Sequence, residues 1–163
     1  MSARPPSFRI GFAALASLLA LSGCGASFEL TTPDTFVRLE EEQQEADGYE
    51  LRAVSNDGVV IAMQVIEHRV EGTLTFWSEA VLRRLRDQAG YALLSADDVQ
   101  AASGQPGRIL RLGRDLNGRV YRYTVVVYVT DASIFIAEAG GPEEAFVAVE
   151  ADVETALRGV RLR

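Results

Sequence analysis

The stretch from Arg108 to Glu138 constrains this chain more than any other. Apolar, β-branched runs stand at Arg108 to Gly113, Val120 to Thr130 and Ser133 to Glu138, divided by Asn117-Gly118 and by Asp131-Ala132. Asn-Gly between such runs is a hairpin cue, because both central positions of the tight turn need positive φ. A two-residue turn there pairs Leu112 with Tyr123 and Leu110 with Val125; a short turn at Asp131-Ala132 pairs Val129 with Ile134 and Val127 with Ile136. These registers collect Leu110, Leu112, Tyr121, Tyr123, Val125, Val127, Val129, Ile134 and Ile136 on one face, as a buried antiparallel sheet requires. Ile109, Val126, Tyr128, Phe135 and Ala137 fall on the other face, mixed with Arg111, Arg122 and Thr124. That face needs partial cover too.

The flanking segments supply strands and helices of matching polarity. Thr32-Pro33-Asp34 is a turn signal, and Phe36 to Leu39 a short extended piece. Tyr49 to Val54 and Val59 to Glu67 flank Asn56-Asp57-Gly58. A three-residue loop with Gly58 left-handed sets Tyr49 against Val65, Leu51 against Met63 and Ala53 against Ile61. Leu74, Trp77, Val81 and Leu85 then recur at helical spacing, with Gly90 placed to end an amphipathic helix of about 16 residues. On that stripe Trp77 reads as core packing rather than as a ligand-stacking ring. Tyr91 to Ser95 reads as a returning strand, and Ala101 to Gly107 as a loop without the lysine of a phosphate-binding loop. At Gly141-Pro142-Glu143-Glu144 the expected helix takes Gly141 as N-cap and Pro142 as its first residue, and Phe146, Val149, Val153 and Leu157 form its stripe up to Gly159. Glu143 and Glu144 would repel an anion there, so Gly140-Gly141 is a structural turn. The fold class is therefore α+β: an antiparallel, mostly meander sheet of about 5–7 strands packed with two amphipathic helices.

The amino terminus is an address. Arg4 and Arg9 precede an apolar run from Ile10 to Leu21, about 12 residues, too short for the roughly 20 of a spanning helix. Leu21-Ser22-Gly23-Cys24 follows. This resembles the lipobox of bacterial lipoproteins at all four positions. The resemblance implies cleavage between Gly23 and Cys24, a diacylglyceryl thioether on the Cys24 thiol and acylation of the new amine, commonly with palmitate. Small side chains let an extended backbone enter an intramembrane protease, and only a thiol can carry the thioether. Several acyl chains satisfy the requirement for more than one lipid in stable anchoring. The expected organisation is a signal peptide at 1–23, a lipidated tether at 24–27 and a single α+β domain at 28–163. The tether reaches on the order of 10 Å, so the domain sits close to its bilayer. Under the enterobacterial sorting rule, Gly25 after the cysteine favours a periplasm-facing outer-membrane location over the inner membrane.

Charge and composition exclude most chemistry. Asp+Glu number 23 against Lys+Arg 16, all arginine, for a net charge of −7. Loss of Arg4 and Arg9 with the signal leaves 14 arginines against 23 acids, a net of −9, so attachment to the bilayer comes from lipid through Cys24 rather than from basic residues. Acidic balance argues against a nucleic-acid partner. One cysteine and one histidine allow no intramolecular disulfide and make neither a zinc cluster nor a Cys/His catalytic pair a natural reading, and the lack of lysine removes Schiff-base chemistry through that residue. His68, beside Glu67 and Glu71, reads as a surface residue rather than a general base. The acidic run Glu40 to Asp47 lacks the spacing of a calcium loop.

Thr32-Pro33-Asp34-x-Phe36, the Trp77 helix, the Tyr121 to Ala137 meander and the closing Gly-Pro-Glu-Glu-x-Phe helix together resemble the PsbP-type and DcrB-like α/β/α sandwich proteins. That resemblance covers nearly the whole mature chain in order of elements and implies an accessory or binding role, with no catalytic, cofactor or metal residues to carry over. Three functions follow as expectations. The first is a non-enzymatic envelope lipoprotein that binds a protein partner. Another is a small-ligand carrier with an apolar cavity bordered by Trp77, Tyr121 or Tyr123. The third, a carboxylate hydrolase, needs two acids converging in a pocket.

Overall fold

A computed structural model describes residues 27–40, 48–67 and 72–163. The lipobox through Cys24, the acids at 41–47, and His68 with Glu71 lie outside those residues. The elements in chain order are β1 (Phe28–Glu29), β2 (Phe36–Arg38), β3 (Leu51–Ser55), β4 (Val60–Glu67), α1 (Leu74–Ala89), β5 (Ala92–Gln100), β6 (Pro106–Leu116), β7 (Arg119–Val129), β8 (Ser133–Pro142), α2 (Glu143–Arg158) and β9 (Arg161–Leu162). Strands β2 to β8 form one antiparallel sheet in the order β2-β3-β4-β8-β7-β6-β5, and β1 pairs with β9 apart from it. The class is α+β, with the meander β6-β7-β8 at its centre.

The registers expected from the turns are those observed. Leu112 faces Tyr123 and Leu110 faces Val125; Val127 faces Ile136 and Val129 faces Ile134; Leu51 faces Met63 and Ala53 faces Ile61. Asn117 has φ 57° and Gly118 φ 80°, the two positive values the primed turn demands. Gly58, at φ 82°, closes the β3–β4 loop, and Gly58 N–H donates to the Ser55 carbonyl.

One core lies on each face. Leu110, Leu112, Val125, Val127, Ile134 and Ile136 pack under α1 through Leu74, Trp77, Val81 and Leu85. The opposite face needs more than partial cover, and it has it: Ile109, Val126, Tyr128, Phe135 and Ala137 join Leu51, Ile61 and Met63 under Phe146, Val153 and Leu157 of α2. Tyr128 is wholly buried, and its hydroxyl donates to the Leu157 carbonyl at 3.0 Å. Helix α1 opens at Thr73, whose Oγ1 accepts from Phe76 N–H at 3.1 Å, and closes at Gly90 in the left-handed region, φ 69°.

Four details differ from the sequence reading. Gly141 is not the N-cap of α2; it still pairs with Arg122 in the sheet, so β8 runs on to Pro142, which takes the cap position, and the helix begins at Glu143. Strand β5 extends to Gln100 and shortens the following loop, because its backbone pairs with β6 down to Pro106. Tyr49 does not continue β3 opposite Val65. Glu50 N–H bonds the Met63 carbonyl, the strand starts at Leu51, and the Tyr49 ring turns to the α1 side. The terminal pair β1–β9 is too short to leave a periodic pattern.

Arg111 ties α2 to the β5 edge. Its guanidinium forks onto Glu154, with Nη2 to Oε2 at 2.9 Å, and reaches Asp97 at 2.7 Å. The hydrogen bond from Arg111 holds the Glu154 carboxyl below its ordinary 4.5. A depressed carboxyl contributes stability above its unfolded value and loses it as pH falls through the folded one. Denaturant titrations from neutral pH downward should therefore show wild type losing stability below pH 4.5 more steeply than Glu154→Gln; parallel profiles would contradict the linkage. Gly107 presses on the Tyr128 ring, where a Cβ would collide. Gly107→Ala is expected to cost about 1–3 kcal/mol in chemical unfolding.

Candidate functional site

Helix α1 packs over β5, β6 and β7 and leaves the same face of β2, β3 and β4 without a helix. Val37 on that face is 70% exposed, and Arg52, Val54 and Val60 are half-buried. Where the bare face meets the flank of α1, two clefts adjoin. One, of about 330 Å³, is lined by Tyr49, Arg52, Tyr91, Tyr121, Tyr123 and Glu138 over a floor of Gly58, Val60, Ala62 and Gly140. The other, of about 230 Å³, runs beneath Val81, Arg84, Leu85 and Gln88 and shares Tyr49, Tyr123 and Glu138 with the first.

Strand alternation builds the site. Arg114, Tyr121, Tyr123, Glu138 and Gly140 sit at alternate positions of β6, β7 and β8, and the pairings Arg114–Tyr121 and Tyr123–Gly140 bring them side by side. Glycine at 140 is needed because a Cβ there would stand 2.6 Å from the Tyr123 ring. Tyr91 follows directly on the Gly90 cap of α1, and its ring lies 5.2 Å from that of Tyr123. Arginines cover the rings: Arg114 lies 4.8 Å from the Tyr91 centroid and 5.7 Å from that of Tyr121. Arg119 stands 5.6 Å from Tyr121 and Arg52 5.3 Å from Tyr49. Four of the chain's 5 tyrosines are thus at this one place.

Glu138 is the centre of the hydrogen bonding. Tyr49 donates to its Oε1 at 2.9 Å, and its charge acts on the Tyr123 phenol. Burial, reinforced by the Glu138 charge, pushes the Tyr49 phenol up to about 12 and raises Tyr123 further. Burial raises Tyr91 as well, against the opposing charge of Arg114. These phenols therefore stay protonated at neutral pH.

The residues singled out in the sequence are dispersed. Trp77 lies away from the clefts, edge-on to Phe76 at 5.0 Å, and packs on the α1-side core; Gly72 crosses so close to its indole that a Cβ would collide. Tyr121 and Tyr123 do border a cleft, but an open one walled by charge rather than an apolar cavity. The two acids of a hydrolase do not converge there: Glu138 is the sole carboxylate lining either cleft. Glu79 and Asp87 share a groove on α1, on the order of 12 Å apart along the helix axis. Among the described residues no group of three His, Cys, Asp or Glu could hold a metal ion, and no helix is long and apolar enough to cross a membrane.

Sequence reasoning missed Tyr49, Tyr91, Arg114 and Glu138 as neighbours. The parity of Tyr123 with Glu138 across the β7–β8 register was the available signal, and it was absorbed into the apolar face.

No protein-family profile matches this chain, and no curated protein matches it. Solved structures share its fold. It is similar to cyanobacterial PsbP (CyanoP) from Synechocystis sp. PCC 6803, with a TM-score of 0.61 and 13% identity over 90% of this chain and 99% of that one. LpqN, described as involved in cell envelope biogenesis of Mycobacterium tuberculosis, aligns with a TM-score of 0.64 and 13% identity over 83% and 82%. The Saccharomyces cerevisiae Ran-binding protein Mog1p aligns with a TM-score of 0.63 and 12% identity over 83% and 90%. At such identities the likeness is one of fold.

A phenol whose folded value lies above its unfolded one contributes stability below that unfolded value and loses it as pH rises. For Tyr49 the window runs from 10.0 to about 12. Followed by tyrosinate absorbance, at least one tyrosine should ionise at lower pH in Glu138→Gln than in wild type, while desolvation still holds it above free tyrosine. Identical titrations would show that Glu138 does not exert the hydrogen bond and charge assigned to it.

Proposed function

We propose that the protein is a lipid-anchored lipoprotein of the bacterial cell envelope with a non-catalytic, protein-binding accessory role. The observation that supports this reading is the separation of the chain's entry point at Ser27 and the cleft at opposite ends of the sheet. The tether joins the domain at Ser27, whose carbonyl accepts from Arg163 N–H at 2.9 Å, beside the loop of Ala102 and Ser103, which hold Val160 and Leu162. That is the end where β5 turns into β6 and β7 into β8. The tyrosine cleft lies at the other end, with the Asn117-Gly118 turn and the start of α2. A chain held at Cys24 presents the cleft away from its own bilayer.

The kinship in fold with an envelope-biogenesis protein is in keeping with this location, and the cleft offers binding groups without a paired acid or a metal cluster among the described residues. Carriage of a small ligand would draw on the same cleft, whose volume is at the lower end for ligand sites. Its open, charged walls suit a protein surface better than an enclosed cargo.

The anchor is tested by feeding cells a palmitate analogue. Wild type should take up label and fractionate with the outer membrane, whereas Cys24→Ser should take up none and keep its signal peptide. Equal labelling of the two would remove the lipoprotein reading. Cross-linking in intact cells followed by mass spectrometry should recover an envelope protein, and recovery of none would count against the accessory role.

A further inference from the structure

We infer that the tyrosine–arginine cleft is a docking site for a carboxylate-rich segment of a protein partner, laid across the bare face of β3, β4 and β8. This rests on the protein-binding reading above and names the surface and the chemistry of the partner.

Charge complementarity selects the occupant. The chain is acidic overall, with a net charge of −7, yet the walls of the two clefts and their rim carry Arg52, Arg84, Arg114 and Arg119. Three acids close by are already engaged. Glu138 accepts from Tyr49, Glu143 pairs with Arg122 at 2.5 Å, and Asp115 accepts from Gly118 N–H at 2.8 Å. A carboxylate arriving over the tyrosines meets guanidinium groups beside the rings and the Tyr121 phenol; a lysine-rich segment meets like charge.

The groups are also of the kind that bind proteins at low entropic cost. Tyrosine offers large area with only two side-chain torsions, and an arginine stacked on a ring keeps its fork oriented. Tyrosine and arginine are the residues in which interface hot spots concentrate. Gly58 on the floor is exposed with nothing near where a side chain would stand, so a partner backbone can approach it closely.

Anionic lipid of the home membrane is the competing source of negative charge, and distance removes it. Within β7, which ends at Val129, Tyr123 and Tyr121 stand six and eight residues from the anchored end, roughly 20 to 26 Å at about 3.3 Å per residue. Screening at physiological salt acts over about 8 Å. Lipid headgroups of the anchoring leaflet are thus several screening lengths away.

The test places a photo-cross-linking phenylalanine at Tyr121 in the full-length lipoprotein in intact cells, with Val147 on the outer surface of α2 as the comparison position. Tyr121 should yield a protein adduct whose cross-linked peptide has more Asp and Glu than Lys and Arg, and Val147 should not. Arg119→Glu and Arg84→Glu, both exposed, should together lower that adduct about tenfold, as loss of about 1.4 kcal/mol would, with Cys24 labelling and thermal unfolding unchanged. Arg114→Glu should do the same if it folds; the two exposed substitutions decide the matter if it does not. A cross-link to lipid, a basic peptide at Tyr121, or a yield indifferent to charge reversal would overturn the inference. Adducts from Val147 alone would overturn the cleft while leaving the accessory role standing, whereas no protein adduct from either position would remove both.

Discussion

The architecture depends on the central meander being apolar on both of its faces. Residues at odd and even positions of β7 are alike unable to face water: Val125 and Val127 lie on one side, Val126 and Tyr128 on the other, all wholly buried. A sheet of this kind must be covered twice, and two amphipathic helices are what the remaining chain supplies. The order of helices and strands follows from that requirement. Helix α1 is spent on β5–β7 and α2 on β7 and β8 of the opposite face, where Phe146, Val153 and Leu157 share one core with Leu51, Ile61 and Met63.

Two helices cannot cover two faces of a seven-stranded sheet completely. At about 10 Å in diameter, a helix spans roughly two strands at about 4.8 Å spacing, so a single α1 must leave several strands open on its side. The uncovered half is not wholly apolar, although it carries Val37, Val54 and Val60. Its positions carry Arg52, Tyr49, Glu138 and glycine, and the aromatic groups are closed over by arginine, so the open face remains compatible with water while keeping large planar surfaces in place. The candidate site is in this sense a product of the helix shortage.

Local rules in the sequence were sufficient for most of the fold. Where a turn type fixes the register, as at Asn117-Gly118 and at Asn56-Asp57-Gly58, the expected cross-strand pairs are present apart from Tyr49 with Val65, because a slip of one residue would reverse both faces. The boundaries that escaped were those settled by pairing rather than by composition. Gly141 and Pro142 have the makings of a helix start, yet Tyr121 and Arg122 hold both residues in the sheet. β5 carries Asp97 and Asp98 at an edge and has little apolar alternation, so its length came from its partner β6. For the site, the sequence showed Tyr121 and Tyr123 as members of an apolar face and could not show over which strands α1 would lie. Tyr49 and Tyr91 lie outside regular strands, and their convergence on Glu138 is a tertiary fact.

The pairing of β1 with β9 has a mechanical meaning. A pull on the amino-terminal segment enters the domain at Ser27 and is taken first by the Phe28–Leu162 and Glu29–Arg161 pairs, by Arg163 gripping Glu29 and by Phe28 and Leu30 seated in the core. From there the load passes to the end of α2 and to the loop at Ala102, without traversing β6, β7 or β8 lengthwise. Such a pull is therefore absorbed in a two-strand clip. The far end of the sheet keeps its shape while the near end bears the strain, as a sprung mounting isolates the instrument it carries.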